Sequence, residues 1–134
     1  MALSEKALNL LLWIAQILLA FAFAMAGYMK LSTPISELAT QMQWVSDLPE
    51  WMVRFIGLCE FLGAMGLLIP ALMKMKTILT PWAATGLAAV MLLAALFHFM
   101  RGEHSAIAVN AGFGVVAAFV AWGRFKKVRL TDKK

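Results

Sequence analysis

Charge is scarce in this chain: 14% of its 134 residues are Asp, Glu, Lys or Arg, against 63% hydrophobic. Ordinary soluble domains carry about 25% charged and about 45–50% apolar residues. A soluble core of this length could not absorb the excess, so the expected solvent is a lipid bilayer. Cysteine is nearly missing as well. The single Cys59 excludes an internal disulfide, and no C-x-x-C pair exists for zinc or thiol redox work. With no histidine positioned to activate it, Cys59 reads as an inert core thiol on a different face from its neighbour Glu60. His98 and His104 have no tight metal-ligand spacing, so no metal site is expected. Haem is disfavoured because these two histidines flank one short turn and there is no third. No Gly-rich phosphate loop or Ser-His-Asp pattern appears, and no catalytic residue is assigned. The formal charge of +5 sits at the ends of apolar runs, where membrane topology rather than nucleic acid explains it.

What is present is four apolar runs, at about 7–29, 51–69, 77–99 and 105–122, the second ending before Pro70. Each approaches the roughly 17–25 residues that span a bilayer, and backbone groups in lipid must be satisfied within the segment, so these are helices. The expected fold is all-α: one integral membrane domain over residues 1–134, a four-helix transmembrane bundle. The first run carries an Ala24-x-Ala26 pattern like a cleavage site. Its apolar stretch is longer than a signal-peptide core and its positive flank is weak, so a retained helix is expected. Between the first two spans, Thr33 is a candidate N-cap and Pro34 a first helical residue. Ile35, Leu38, Met42 and Val45 recur at helical spacing, predicting an amphipathic interfacial helix over about 34–46, an anchor or a lid. Trp44 and Trp51 suit the headgroup belt.

With four spans, nine basic residues share the side that holds both termini, and three (Lys30, Arg54, Arg101) lie opposite. Lys and Arg accumulate on the cytoplasmic side, so both termini are expected there, with 123–134 a basic cytoplasmic tail that anchors topology or attracts anionic lipid.

Small residues mark where membrane helices approach one another. Ala20, Ala24 and Gly27 form such a stripe in the first span, and Gly57 with Gly63 or Ala64 in the second. The third offers Ala84, Ala88 and Ala95; the fourth, Ala106, Asn110, Gly114 and Ala118. Glu60 and Asn110 lie on these stripes, as intramembrane polar groups do when they face protein. Lys30, Arg54, His98, Arg101 and Glu103 cluster at the outer ends of their spans. The expectation is a polar pocket open away from the cytoplasm, with Lys30, Glu60, His98, Arg101 and Asn110 as ligand-binding candidates. Glu60 is expected roughly 12 Å below its helix start, at 1.5 Å per residue. It could pair with Lys30, Arg54 or Arg101, be protonated against Asn110 or His98, or serve a ligand or proton.

Three motifs, GYMKL at 27–31, CEFLGAMGLLIP at 59–70 and FHFMRGEHSAI at 97–107, resemble in order and spacing the DoxX-like family of small four-helix membrane proteins. The resemblance implies a four-helix fold in a bacterial inner membrane. Some relatives look like membrane subunits of a thiosulfate:quinone oxidoreductase or partners in oxidative-stress complexes. It transfers motif positions without roles: Gly27, Lys30, Glu60, Gly63, His98, Arg101 and Glu103. The favoured function is a non-catalytic accessory, assembly or small-molecule-binding subunit, with a protein partner or a homo-oligomer in the bilayer. The alternatives are a quinone-linked redox accessory, quinone being the cofactor it would hold, and a small oligomeric transporter.

Overall fold

The structure, a computed structural model, describes residues 3–134. Four long helices, α1 (Glu5–Ser32), α3 (Glu50–Met73), α4 (Leu79–Met100) and α5 (His104–Trp122), are apolar enough to cross a membrane. α5 runs on into a π-helical turn, Gly123–Lys127. A short α2 (Ile35–Gln41) and a 3₁₀ turn (Gln43–Asp47) join α1 to α3. No strand occurs among the described residues. The architecture is a four-helix membrane bundle with a smaller helical segment at one end.

α1 packs on α3, α3 on α4 and α4 on α5, and a thinner α1–α5 contact closes the ring. Leu19, Phe23, Ala64, Leu67, Ala84, Leu87 and Val120 are buried at the centre. Outside them Leu18, Phe21, Leu62, Leu92 and Leu93 are exposed. Apolar residues turned outward around an apolar centre are the mark of helices whose solvent is lipid.

α1 and α3 approach with backbone nearly against backbone. A Cβ on Gly27 would lie 2.6 Å from both Gly57 O and Phe61 N, and one on Gly57 would lie 2.7 Å from Lys30 Cβ. Gly63 abuts Leu87 and Gly114 abuts Met91; Ala20 is buried and Ala24 packs on the core.

Four expectations need adjusting. Pro70 does not stop α3, which continues to Met73. A proline leaves the carbonyl four residues earlier without its N–H; here Thr80 Oγ1 donates to that carbonyl, Gly66 O, at 3.1 Å. Thr33 caps the end of α1 rather than the start of α2, whose N-cap is Pro34. The interfacial helix over 34–46 is broken at Met42, whose extended backbone separates α2 from the 3₁₀ turn. The break lets Leu38 and Val45 both bury against Val53. In α5 the inward stripe leaves its four-residue step: Ala117 and Val120 are buried and Ala118 is exposed. Four residues overshoot a full turn by about 40°, so such a stripe drifts off the contact.

Candidate functional site

The Lys30 end of the bundle gathers eight ionisable side chains into ion pairs. Lys30 Nζ, at the end of α1, donates to both carboxylate oxygens of Glu60 on α3, at 2.9 and 3.0 Å. Lys30 is 7% and Glu60 3% exposed, so the pair lies inside the protein. Of the partners open to Glu60, the structure selects Lys30. Among the described residues no hydrogen bond joins Glu60 to His98 or Asn110. Each charge alone at mid-bilayer costs about 2.5–3.5 kcal/mol on insertion scales, and bidentate pairing offsets much of that.

Arg54 has another task. Its Nη1 donates to Lys30 O and Thr33 O, both at 2.7 Å, and its Nη2 pairs with Glu50 at 3.1 Å. The last carbonyls of a helix have no intrahelical donor and carry the negative end of its dipole. Arg54 therefore caps α1 from α3 and fixes the turn that presents Lys30.

The α4–α5 connection is a Schellman turn. Glu103 N donates to His98 O at 3.0 Å and Gly102 N to Phe99 O at 3.1 Å, with Gly102 at φ +74°. Only glycine takes that backbone without strain. The turn folds Glu103 back onto its own helix, where Oε1 meets His98 Nδ1 at 3.2 Å and Arg101 Nε. The Arg101 guanidinium holds the Glu103 carboxyl below the usual carboxylate range, with His98 adding to the effect. Arg101 also reaches Asp47 and so ties the 3₁₀ turn to the α4–α5 corner.

Inside this frame lies a cavity of about 510 Å³, bounded by all four long helices and the connecting segment. Its polar wall is Lys30, Glu60, His98 and Asn110; the rest is apolar, including Phe23, Phe55, Met91, Phe97 and Phe113. The structure thus brings together four of the five candidates. Arg101 is not in the wall but in the corner that holds His98. The expected polar pocket is mainly an apolar one with a small charged patch. Phe55 and Leu93 line it while 57% and 66% exposed, so the cavity reaches the lipid-facing surface between α3 and α4.

Cys59, expected on another face, lines the same cavity, because the space wraps around that side of α3. Trp44, expected at the headgroups, stands edge-on to His98 at 6.3 Å. A second, more exposed cavity of about 500 Å³ shares Met42, Trp44, His98, Val109 and Asn110 with the first and adds Gln41, Gln43 and Glu103. His98 lies in the wall of both. Among the described residues no group of three or more His, Cys, Asp or Glu is placed to hold a metal ion.

At the opposite, basic end, Arg124 is buried. It donates to Gln16 and Asn9 of α1, each at 2.7 Å. The sequence predicts it in the basic cytoplasmic tail, 123–134. The usable signal was Asn9 and Gln16 themselves, two amides seven residues apart on one helix face that need a buried partner.

The family description that matches residues 14–120 is the DoxX-like family. The chain belongs to that family. The match covers α1 from its third turn to nearly the end of α5, and so every cavity residue named above. No curated protein and no solved structure matches. As a DoxX-like protein with four membrane-capable helices, the chain is an integral, multi-pass membrane protein.

Proposed function

We propose that this DoxX-like protein is an accessory membrane subunit that binds an amphipathic small molecule in the Lys30–Glu60 cavity. The observation that carries the reading is one compact charged patch in an otherwise apolar cavity that reaches the lipid-facing surface. Ligand sites are mostly apolar enclosures with a few placed polar groups. This one suits a molecule that arrives through the bilayer with an apolar body and a polar head. The head would face Lys30 and Glu60, and the body would lie along Phe55, Met91 and Phe113. Lys and Arg concentrate at the other end, which supports an inner-membrane orientation with both termini cytoplasmic and the cavity in the outer half.

A quinone-presenting redox accessory is the second reading. It is favoured by His98, which lies between the membrane-facing cavity and the more exposed one and could pass a proton between them. Both readings need a partner enzyme in the membrane.

The test is the organic extract of protein purified in mild detergent. We expect one amphipathic species enriched several-fold over its share of the membrane, and lost from the Lys30→Met/Glu60→Met variant while helicity is kept. A quinone in that role selects the second reading. An extract matching bulk lipid in both proteins would refute binding.

A further inference from the structure

We propose a second site at the basic end of the bundle: a pocket for the phosphate of an anionic phospholipid, formed by Arg124, Arg129 and the start of α4. It is independent of the Lys30–Glu60 cavity, which lies at the other end of the helices.

Among the described residues, a buried cation at this end has no anionic partner. Arg124 is 2% exposed. Its Nε donates to Gln16 Oε1 at 2.7 Å, and its Nη1 to Asn9 Oδ1 at 2.7 Å and Val128 O at 3.1 Å. Every one of these acceptors is neutral, and the Trp13 ring, 5.5 Å from the guanidinium carbon, is neutral as well. Among the described residues Nη2 has no acceptor, and it is closed off from solvent, so Arg124 offers its surroundings a charge rather than a free donor. Taking a guanidinium out of water is costly unless it is paired and its donors are used. Gln16 and Asn9 orient this one but do not neutralise it.

Arg124 forms part of the wall of a cavity of about 270 Å³, which Arg129 and Thr77 also line. Arg129 is fixed through Nε to Phe125 O at 2.8 Å, which leaves its terminal nitrogens for a ligand. Ile78, the N-cap of α4, is in the wall too, so the positive end of a 22-residue helix dipole borders the space. Asp132 is the nearby acid. It is occupied by Lys76 N, Thr77 N and Thr77 Oγ1, at 3.2, 2.9 and 2.6 Å, and not by either arginine. Asp132 and the carbonyls of Lys76 and Thr77 already take the amides around the start of α4, so the two guanidinium groups are what the cavity offers a phosphate.

The surroundings select a lipid over a free anion. Ile78 and Leu79 are 56% and 48% exposed, and Trp82, 60% exposed, stands edge-on to Phe125 at 5.3 Å. This apolar surface runs from the cavity down the membrane-facing side of α4, where acyl chains would lie while the phosphate stays at headgroup level.

Native mass spectrometry in mixed micelles of phosphatidylglycerol and phosphatidylcholine tests the assignment. The wild-type chain should retain one phosphatidylglycerol in preference to phosphatidylcholine. Arg129→Gln, at an exposed side chain, should weaken retention about tenfold, as loss of charge-assisted hydrogen bonds does. Arg124→Gln should do the same if it folds. Lys126→Gln/Lys127→Gln removes two charges outside the cavity and should change retention less than about twofold, in line with the small contribution of exposed charges. Equal loss in the Arg129 and Lys126/Lys127 variants would overturn the site in favour of diffuse attraction to the tail. No preference between the two lipids would overturn it outright. Displacement of the lipid by low-millimolar inorganic phosphate would assign the pocket to a soluble anion and refute the lipid.

Discussion

Lys30 and Glu60 are each other's condition for being buried. Removing one partner of a buried pair strands the other, at about 3–5 kcal/mol, whereas replacing both by apolar residues of similar size is often neutral or better. Glu60→Gln should therefore lower the thermal midpoint in detergent clearly, and Lys30→Met/Glu60→Met should recover most of it. If the double variant were as unstable as the single one, the pair would be a source of stability and less available to a ligand. Asp132 gives a pH prediction. Its hydrogen bonds to Thr77 and Lys76 hold its carboxyl below the ordinary value of 3.8. A depressed native pKa means stabilisation that is complete above the unfolded value and lost as pH falls through the native one. The contact between the tail and the α3–α4 turn should persist from pH 7 to about pH 4 and loosen only below that; amide exchange at Thr77 measures it. Asp132→Asn should loosen it already at neutral pH. Glu60 was legible as an inward-facing acid from its helical stripe, but its partner was not. Lys30, Arg54 and Arg101 all lie near helix termini on one side, and only the approach at Gly27–Gly57 decides which of them reaches.

At the scale of elements, two glycines do separate work. At Gly27 an added methyl meets backbone of α3, which no rotamer change can relieve. Gly27→Ala should cost about 1–3 kcal/mol, the usual range for overpacking, and separate Lys30 from Glu60. At Gly102 there is open space but a left-handed backbone. Gly102→Ala should cost about 1–2 kcal/mol through the dihedral alone and disturb the Glu103 contacts with His98 and Arg101. A thermal-shift comparison measures both. The four spans were readable because a bilayer demands long apolar helices. Their ends were less so, and the reasons are local. Pro70 looked like a stop because Thr80, which serves the carbonyl it orphans, comes from the next helix. Residues 34–46 looked like one helix because Leu38 and Val45 are seven apart, yet their shared contact with Val53 is made by interrupting the helix at Met42.

The whole molecule is a bundle with two differently built ends. The Lys30 end holds a largely apolar cavity with a buried ion pair; the basic end holds an uncompensated arginine and most of the lysines. The start of α1 and the C-terminal tail come to the basic end, where Lys133 N donates to Lys74 O at 2.8 Å. Reporter fusions at the two termini should both report the cytoplasm; opposite sides would contradict the bundle itself. Family membership and fold were legible because motif order and hydropathy survive without coordinates. Arg124 was not, because a basic residue just past an apolar run reads as a topology anchor until its amide partners on α1 are seen.

Photolabelling can show whether the Lys30–Glu60 cavity receives the polar end of a lipid-soluble molecule. A long-chain alcohol with a diazirine beside its hydroxyl would be activated in membranes containing the protein and the adducts mapped by mass spectrometry. Adducts should concentrate on Cys59, Glu60 and Asn110 and be lost in Lys30→Met/Glu60→Met. Adducts spread evenly over outward residues such as Leu18, Leu62 and Leu92, with the cavity wall unmarked, would contradict binding there.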